Sequence, residues 1–336
     1  MDAGHRTDRA ASPLHRFRHD AMACTWGLVV QHARRQYAEQ VARVVFDEID
    51  RLERELSRFR SDSDVARINA LPPGQRLRVG ADVFECLRIA ERANVVTRGA
   101  FDVTLGALLP KPSDARRERQ LAGDPPPFGQ RSLALDPASK SVSVRIAGLS
   151  VDLGGIGKGF AIDRAVELLR EWGISAAMLD SGQSSAYAIG VPLLAIPGQD
   201  AAWRIEIRDP ADANRSLGVL RLQDQAVSGS GAALHGRHIL DPRSGNPAVG
   251  AVAAWAMAGS AAMADALSTA LMVLSRADAD ATIAGVPDAS GLQLWDDGHH
   301  RTFAAQGCGF ATVAAGGISL RDGPTSGLGS AGGDNV

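Results

Sequence analysis

Four glycines fall in six positions, Gly154 to Gly159, of the segment Val151-Asp-Leu-Gly-Gly-Ile-Gly-Lys-Gly-Phe160. Placed after a strand and at a helix start, such a run lets backbone N–H groups approach a ligand closely. The helix N-terminus adds partial positive charge there, so a phosphate is the natural guest. Lys158, one of only three lysines in the chain, reinforces that charge. Two familiar phosphate loops are excluded by spacing. The residue five before Gly157 is Asp152 and Gly159 follows Lys158, which breaks the Walker A pattern. Phe160 stands where a dinucleotide fingerprint needs Gly or Ala. The competing reading is a tight strand-to-helix turn with no ligand.

Around this turn the hydrophobic pattern predicts a mixed α+β chain. Residues 1–20 read as a loose N-terminal arm and Trp26 to Gln31 as the first strand. Apolar residues recur at helical spacing from Gln36 to Arg58 and from Asp82 to Val96. A stretch at about 110–130, rich in Pro, Arg, Asp and Gly, reads as a surface insertion. Val142 to Val151 reads as a strand pair. The next helix covers Lys158 to Trp172, with Gly173 in the position of a C′ glycine. Strands follow at 176–179, 186–190, 203–207 and 218–222. Another helix runs from an N-cap at Ser260 to Leu274, and a closing strand pair spans Gly291 to Thr312. Residues 316–336, rich in Gly and Ser, are expected to be disordered.

Three further segments can carry chemistry. In Ala264-Asp-Ala-Leu-Ser-Thr-Ala270, Asp265 and Thr269 are four apart and share a helical face. A carboxylate and a hydroxyl among Ala, Leu and Met suit a hard, oxygen-liganded cation such as Mg²⁺. The alternative is a solvent-facing Asp265 and a Thr269 bonded back to its own helix. In His235-Gly-Arg-His-Ile-Leu-Asp-Pro-Arg-Ser-Gly245, His238 precedes a turn and can act as base, phosphate ligand or packing group. In Glu55-Leu-Ser-Arg-Phe-Arg-Ser-Asp-Ser-Asp64, Ser61 to Ser63 signals a helix start, and Arg58 or Arg60 can meet an anion. A net charge of −2 gives no basis for a nucleic-acid partner. The most apolar long stretch, 251–274, holds Asp265 at its centre, which argues against membrane insertion. No secretory leader is visible, so a cytoplasmic location is expected, or a periplasmic one if a leader has been removed.

Taken in order, these segments resemble the ApbE family of FAD:protein FMN transferases over about residues 20–315. The resemblance rests on Met22-Ala-Cys-Thr-Trp26, Leu56 to Asp64, Gly99-Ala-Phe-Asp-Val-Thr-Leu-Gly106, and Asp152 to Gly159 with Asp163-Arg164. Trp203 to Pro210, His238 to Gly245 and Ala264 to Thr269 complete it. It implies an α+β fold of largely antiparallel sheets with packed helices, T-fold-like and two-lobed, in one unit over 21–315. It also implies Mg²⁺-dependent cleavage of the FAD pyrophosphate. FMN is attached by a phosphoester to a Thr or Ser of an acceptor flavoprotein, and AMP is released. By family pattern Asp265, Thr269 and the Gly157 carbonyl hold the metal, with Asp265 and His238 as catalytic groups. Met22, Trp26, Phe59, Asp102, Gly154, Gly155, Lys158, Ser181 and His238 surround the dinucleotide.

The chain departs from the family pattern on the flavin and acceptor side. Gln183 in Ser181-Gly-Gln-Ser-Ser185 stands where an Asp is common, so either Asp180 or the serines take that carboxylate's place or its role is lost. Gly229-Ser230-Gly231 replaces Thr-Ser-Gly, Phe59 replaces Tyr, and Ala23-Cys24 replaces Gly-Thr. An FAD pyrophosphatase and a catalytically weak FAD-binding protein are the alternative expectations.

Overall fold

Alternating and helical hydrophobic patterns are realised as two layers on opposite faces of one large sheet. The structure is a computed structural model that describes residues 12–109, 128–192, 202–231, 239–248, 250–296, 301–306, 310 and 319–321. Its strands are β1 (Leu14–Ala21), β2 (Cys24–Gln31), β3 (Arg76–Arg78), β4 (Leu133–Asp136), β5 (Ser141–Val144), β6 (Ala177–Asp180) and β7 (Ser185–Ile189). They continue with β8 (Trp203–Asp209), β9 (Asp212–Leu222), β10 (Gln225–Gly231), β11 (Ala253–Ala258), β12 (Ser290–Asp296), β13 (Arg301–Gln306) and β14 (Ser319–Arg321). The helices are α1 (Arg35–Leu56), α2 (Asp64–Asn69), α3 (Ala81–Val96), α4 (Gly157–Glu171), α5 (Ala261–Leu271) and α6 (Arg276–Ala284).

Nine strands form one sheet in the order β1-β2-β6-β7-β10-β11-β12-β13-β14. Its pairings are antiparallel except β13 with β14. Successive residues of β7 and β11 enter different cores, as a strand's period of two requires. Tyr187, Ile189, Ala254 and Ala256 face the helices. Ala186, Ala188, Ala253 and Met257 join Trp203, Ile207, Leu217 and Leu220 of the separate β8–β9 hairpin on the other face. This is the mixed, largely antiparallel α+β architecture expected.

The α4–α5 contact positions the site. At Gly159 an added Cβ would lie 2.2 Å from the Ala261 carbonyl oxygen, so only glycine lets the two helices cross this closely. At its far end α4 closes with Gly173 at φ +67, donating to Arg170, while Ile174 donates to Leu169. That is the predicted glycine stop.

Several expectations need correction. Residues 14–20, read as loose arm, belong to β1, which pairs with β2 along its whole length. Its inward positions include histidines: His15 Nε2 meets the His32 carbonyl at 2.9 Å, and His19 stacks on Phe46. Partnered histidines on the inner face hide the strand from a hydrophobicity reading. The strand pair expected over Val142 to Val151 lies earlier in the chain: β5 stops at Val144 and pairs with β4, which precedes it. Ser319–Arg321, placed in a disordered tail, pairs with β13. Residues 110–127 of the expected insertion lie outside the described residues, and Gln130–Ser132 forms a 3₁₀ turn. No helix among the described residues is long and apolar enough to cross a membrane.

Candidate active site

The glycine run turns sharply because its flanks are clamped. Asn69 brackets Val151, donating to its carbonyl at 3.0 Å and accepting its N–H at 2.6 Å. The Asp152 N–H donates to the Val103 carbonyl. Asp152 then uses both carboxylate oxygens. Oδ1 accepts the Gly154 N–H at 2.6 Å, and Oδ2 pairs with Arg58 Nε at 2.7 Å. Arg58 also donates to the Gly106 carbonyl at 2.8 Å, tying the 99–106 loop to the turn.

Most amides of this turn are satisfied internally. Gly157 donates to the Leu153 carbonyl and Gly159 to Asp265 Oδ2 at 3.2 Å. The Gly155 and Lys158 backbone amides are left with no acceptor among the described residues. The anion-binding potential of the helix start is therefore narrower than the glycine count suggests. It centres on Gly155 and the Lys158 side chain.

The second motif arrives from 110 residues later. A Cβ on Gly155 would touch Thr269 Oγ1 and Phe101 Cε2, both at 3.2 Å, so the turn rests directly on α5 and the 99–106 loop. Asp265 does not face solvent; it is buried. Its Oδ1 accepts the Ser228 hydroxyl at 3.1 Å. Burial pushes its carboxyl above the usual carboxylate range, opposed first by the Lys158 charge and then by the Gly159 amide and the Ser228 and Ser185 hydroxyls. Thr269 does donate to its own helix, at the Asp265 carbonyl, 3.2 Å away. Ser230 links Thr269 and Ser268 in a hydroxyl chain that reaches Ser228 and Ser185. Small hydroxyl residues alternating along β10 were the available signal for this chain, which the sequence reading did not single out.

These groups share a cavity of about 630 Å³, within the span typical of small-molecule sites, ~300–1,000 Å³. Met22, Asp102, Gly154, Gly155, Lys158, Ser181, Asp265 and Thr269 all line it. Arg58, Cys24, Gln183 and Ser230 line it too. Met22 and Ala23 form the β1–β2 turn at φ +49 and +59, in the left-handed region that non-glycine residues seldom occupy. Asp102 organises its own loop: Oδ1 accepts from Thr104 N–H and hydroxyl, and Oδ2 from the Gln130 N–H.

Three expected site residues lie elsewhere. Trp26 has 0% exposure and donates its indole N–H to the Ala21 carbonyl, because the alternation of β2 turns it inward. Phe59 is 63% exposed, stacked under Arg58 and off the cavity wall. Gly157 is buried as the first residue of α4 and does not line the cavity. His238 lies outside the described residues; Ile239 and Leu240, just after it, line the cavity. Asp180 turns away from the cavity toward β2, where a Cβ on Gly27 would lie 2.4 Å from it. The serines, not Asp180, occupy the wall beside Gln183.

Among the described residues no cluster of three or more His, Cys, Asp and Glu could hold a metal. A cation here would depend on one carboxylate, neutral oxygens and its own ligands, a donor set that suits Mg²⁺. Asp265 and Thr269, on one wall of the cavity, fit that description.

A family model described as the ApbE family matches residues 22–290. The FAD:protein FMN transferase of Klebsiella pneumoniae (strain 342) is 30% identical over 230 residues, covering 62% of this chain and 67% of that protein. The FAD:protein FMN transferase of Treponema pallidum (strain Nichols) is 29% identical over 287 residues, covering 77% and 78%. Among solved structures, the apo form of the Pseudomonas stutzeri flavinyl transferase ApbE superposes with a TM-score of 0.73 at 26% identity. That alignment covers 92% of this chain and 99% of that one.

Proposed function

The chain belongs to the ApbE family, and from that premise we propose that it is a Mg²⁺-dependent FAD:protein FMN transferase. The observation that carries this reading is the approach of Gly155 to Thr269 on the wall of one cavity that also holds Lys158 and Asp265.

In the proposed reaction a Thr or Ser hydroxyl oxygen of an acceptor protein bonds to the FMN phosphorus. The bond from that phosphorus to the bridging oxygen breaks, and AMP leaves with the oxygen. The hydroxyl proton passes to a base or to water. Lys158 and the Gly155 amide face the phosphates and offset charge there. Arg58 and Asp152 hold the turn in shape. His238 takes the proton or orients the hydroxyl, as the family pattern implies. Asp265 and Thr269 would hold Mg²⁺, which would offset charge on the phosphate oxygens; the Gly157 carbonyl, a ligand by family pattern, would have to reach the ion from behind the cavity wall. Met22, Asp102 and Ser181 surround the dinucleotide.

Incubation with FAD and Mg²⁺, with and without an acceptor, tests the proposal. AMP release coupled to flavin transfer to the acceptor is expected. Equal AMP release without acceptor would make the protein an FAD pyrophosphatase, and FAD binding without release would make it a flavin-binding protein.

A further inference from the structure

Serine and glycine alternate at the end of β10. Ser228 and Ser230 turn toward α5, while Gly229 faces the Trp255 ring on the other side. Ser228 is buried and donates to the Asp265 carboxylate. Ser230 is half-buried and lines the catalytic cavity. It also lines an adjoining cleft, whose walls include none of Gly155, Lys158, Asp265 and Thr269. Ser230 therefore stands at the border of the phosphate-facing groups.

A hydroxyl has one proton to give and two lone pairs with which to accept. Around Ser230 the protons are committed elsewhere. Thr269 gives its proton to the Asp265 carbonyl at 3.2 Å, and Ser268 gives its own to the same carbonyl at 3.0 Å. The Ser230 proton goes to Ser268 Oγ at 2.9 Å, the nearer of its two partners; Thr269 Oγ1 lies 3.4 Å away. No described residue is left to donate to Ser230, so its lone pairs are offered to the cavity. They fit a hydrogen-bond donor such as a hydroxyl. A phosphate oxygen, which brings only lone pairs of its own, is repelled. Whatever Ser230 holds lies beside Thr269, where the phosphates would meet the cation.

We propose that Ser230 accepts a hydrogen bond from the incoming Thr or Ser hydroxyl of the acceptor protein and so aims its oxygen at the FMN phosphorus. This rests on the transferase reading above and adds to it the group that holds the nucleophile. The hydroxyl oxygen bonds to phosphorus, the bond from phosphorus to the bridging oxygen breaks, and AMP leaves with that oxygen. The nucleophile's proton goes to a base or to water. Ser230 keeps its own proton on Ser268, so it orients the hydroxyl without deprotonating it. Confining the attacking oxygen to one direction acts on the rate of the bound complex.

The test uses the full chain, FAD, Mg²⁺ and a library of dodecapeptides that each carry one Thr or Ser, with the best-labelled peptide as the acceptor probe. Ser230→Ala should lower kcat for FMN transfer about tenfold or more, the scale of one hydrogen bond. FAD affinity, the half-saturating Mg²⁺ concentration and the unfolding temperature should not change. Ser230→Cys, close in size but a weak acceptor, should be equally slow. Ser268→Ala removes the partner of the Ser230 proton, leaves the lone pairs in place, and should lower kcat far less. Equal losses from Ser268→Ala and Ser230→Ala, or a normal kcat in Ser230→Cys, would assign Ser230 to packing and overturn the proposal. A raised Mg²⁺ requirement would make Ser230 a cation ligand, and weakened FAD binding at full kcat would place an FAD hydroxyl on it; either overturns the proposal too. AMP release by the natural protein with no labelled peptide would overturn the transferase reading instead.

Discussion

Asp163 on α4 caps Ser260 at the start of α5. Its Oδ2 accepts the Ser260 hydroxyl at 2.7 Å and the Ala262 N–H at 2.9 Å, while Oδ1 accepts the Ala261 N–H at 2.6 Å. Two helices that carry the two halves of the site, the glycine turn and the Asp265–Thr269 pair, are thus joined by one half-buried carboxylate. Ser260 was legible as an N-cap; the carboxylate that caps it from another helix was not.

Asp163→Asn should cost about 1–2 kcal/mol, because an amide cannot accept all three bonds. The pH dependence has a definite sign. Burial raises the Asp163 carboxyl above its ordinary value against the opposing hydrogen bonds. An acid with a raised folded pKa contributes stability that is complete below its unfolded pKa and is lost as pH rises through the folded one. The gap between natural protein and variant should therefore be widest near pH 4 and narrower at pH 8. Urea unfolding across that range measures it, and a gap that widens toward pH 8 would refute the assignment.

Gly159→Ala drives a methyl group into the Ala261 carbonyl, 2.2 Å away. Both partners are helix backbone, so relief requires α4 and α5 to separate, at a cost of about 1–3 kcal/mol. Turnover should fall as well, because the Gly159 N–H that holds Asp265 moves with it. Gly259→Ala is the control: nothing lies within 4 Å of the added carbon. Thermal melts should show a clear loss for the first and almost none for the second. Equal melting temperatures would contradict the close crossing.

Arg58→Lys tests the clamp on the glycine turn. Arg58 reaches Asp152 Oδ2 and the Gly106 carbonyl at once, a forked contact that an ammonium cannot reproduce. FAD affinity should drop about tenfold, equivalent to ~1.4 kcal/mol, with a smaller change in unfolding temperature. Fluorescence titration reads the affinity. Unaltered FAD binding would show that the turn keeps its shape without the fork.

The helices could be read because their packing is one-sided: Val41, Val45, Ile49 and Leu52 of α1 recur at helical spacing and are all buried. Two strands beside the site, β10 and β11, could not. The β11 sequence AAWAMA is apolar at every position because both of its faces are covered, so alternation vanishes. β10 is Gln-Ala-Val-Ser-Gly-Ser-Gly, with little β-propensity, and is held by its neighbours β7 and β11. At the site, the spacing of Asp265 and Thr269 carried information, because four residues fix a shared helical face. Their contact with Gly155 did not, since only tertiary packing brings together residues so far apart in sequence. Trp26 shows the converse case. Its position in a resembling motif suggested a ligand contact, whereas the phase of β2 assigns it to the core.

Asp265 and Thr269 supply the last prediction. Asp265→Asn keeps an acceptor for the Gly159 N–H and presents an amide N–H to the Ser228 hydroxyl, which can turn to accept it, but removes the charge a cation requires. Mg²⁺-dependent AMP release should fall at least ~100-fold, the scale on which electrostatic groups at a reacting centre act. Stability should not fall with it. Burial raises the Asp265 carboxyl, so its ionised form costs the folded state free energy as pH rises through the folded pKa. At pH 8 the variant should unfold at the same temperature as the natural protein or higher. Thr269→Val should lower turnover and Thr269→Ser restore most of it, since only the hydroxyl is proposed to act. EDTA should silence the natural enzyme and leave the residual rate of Asp265→Asn unchanged. An Asp265→Asn protein with full, EDTA-sensitive activity would place the cation elsewhere.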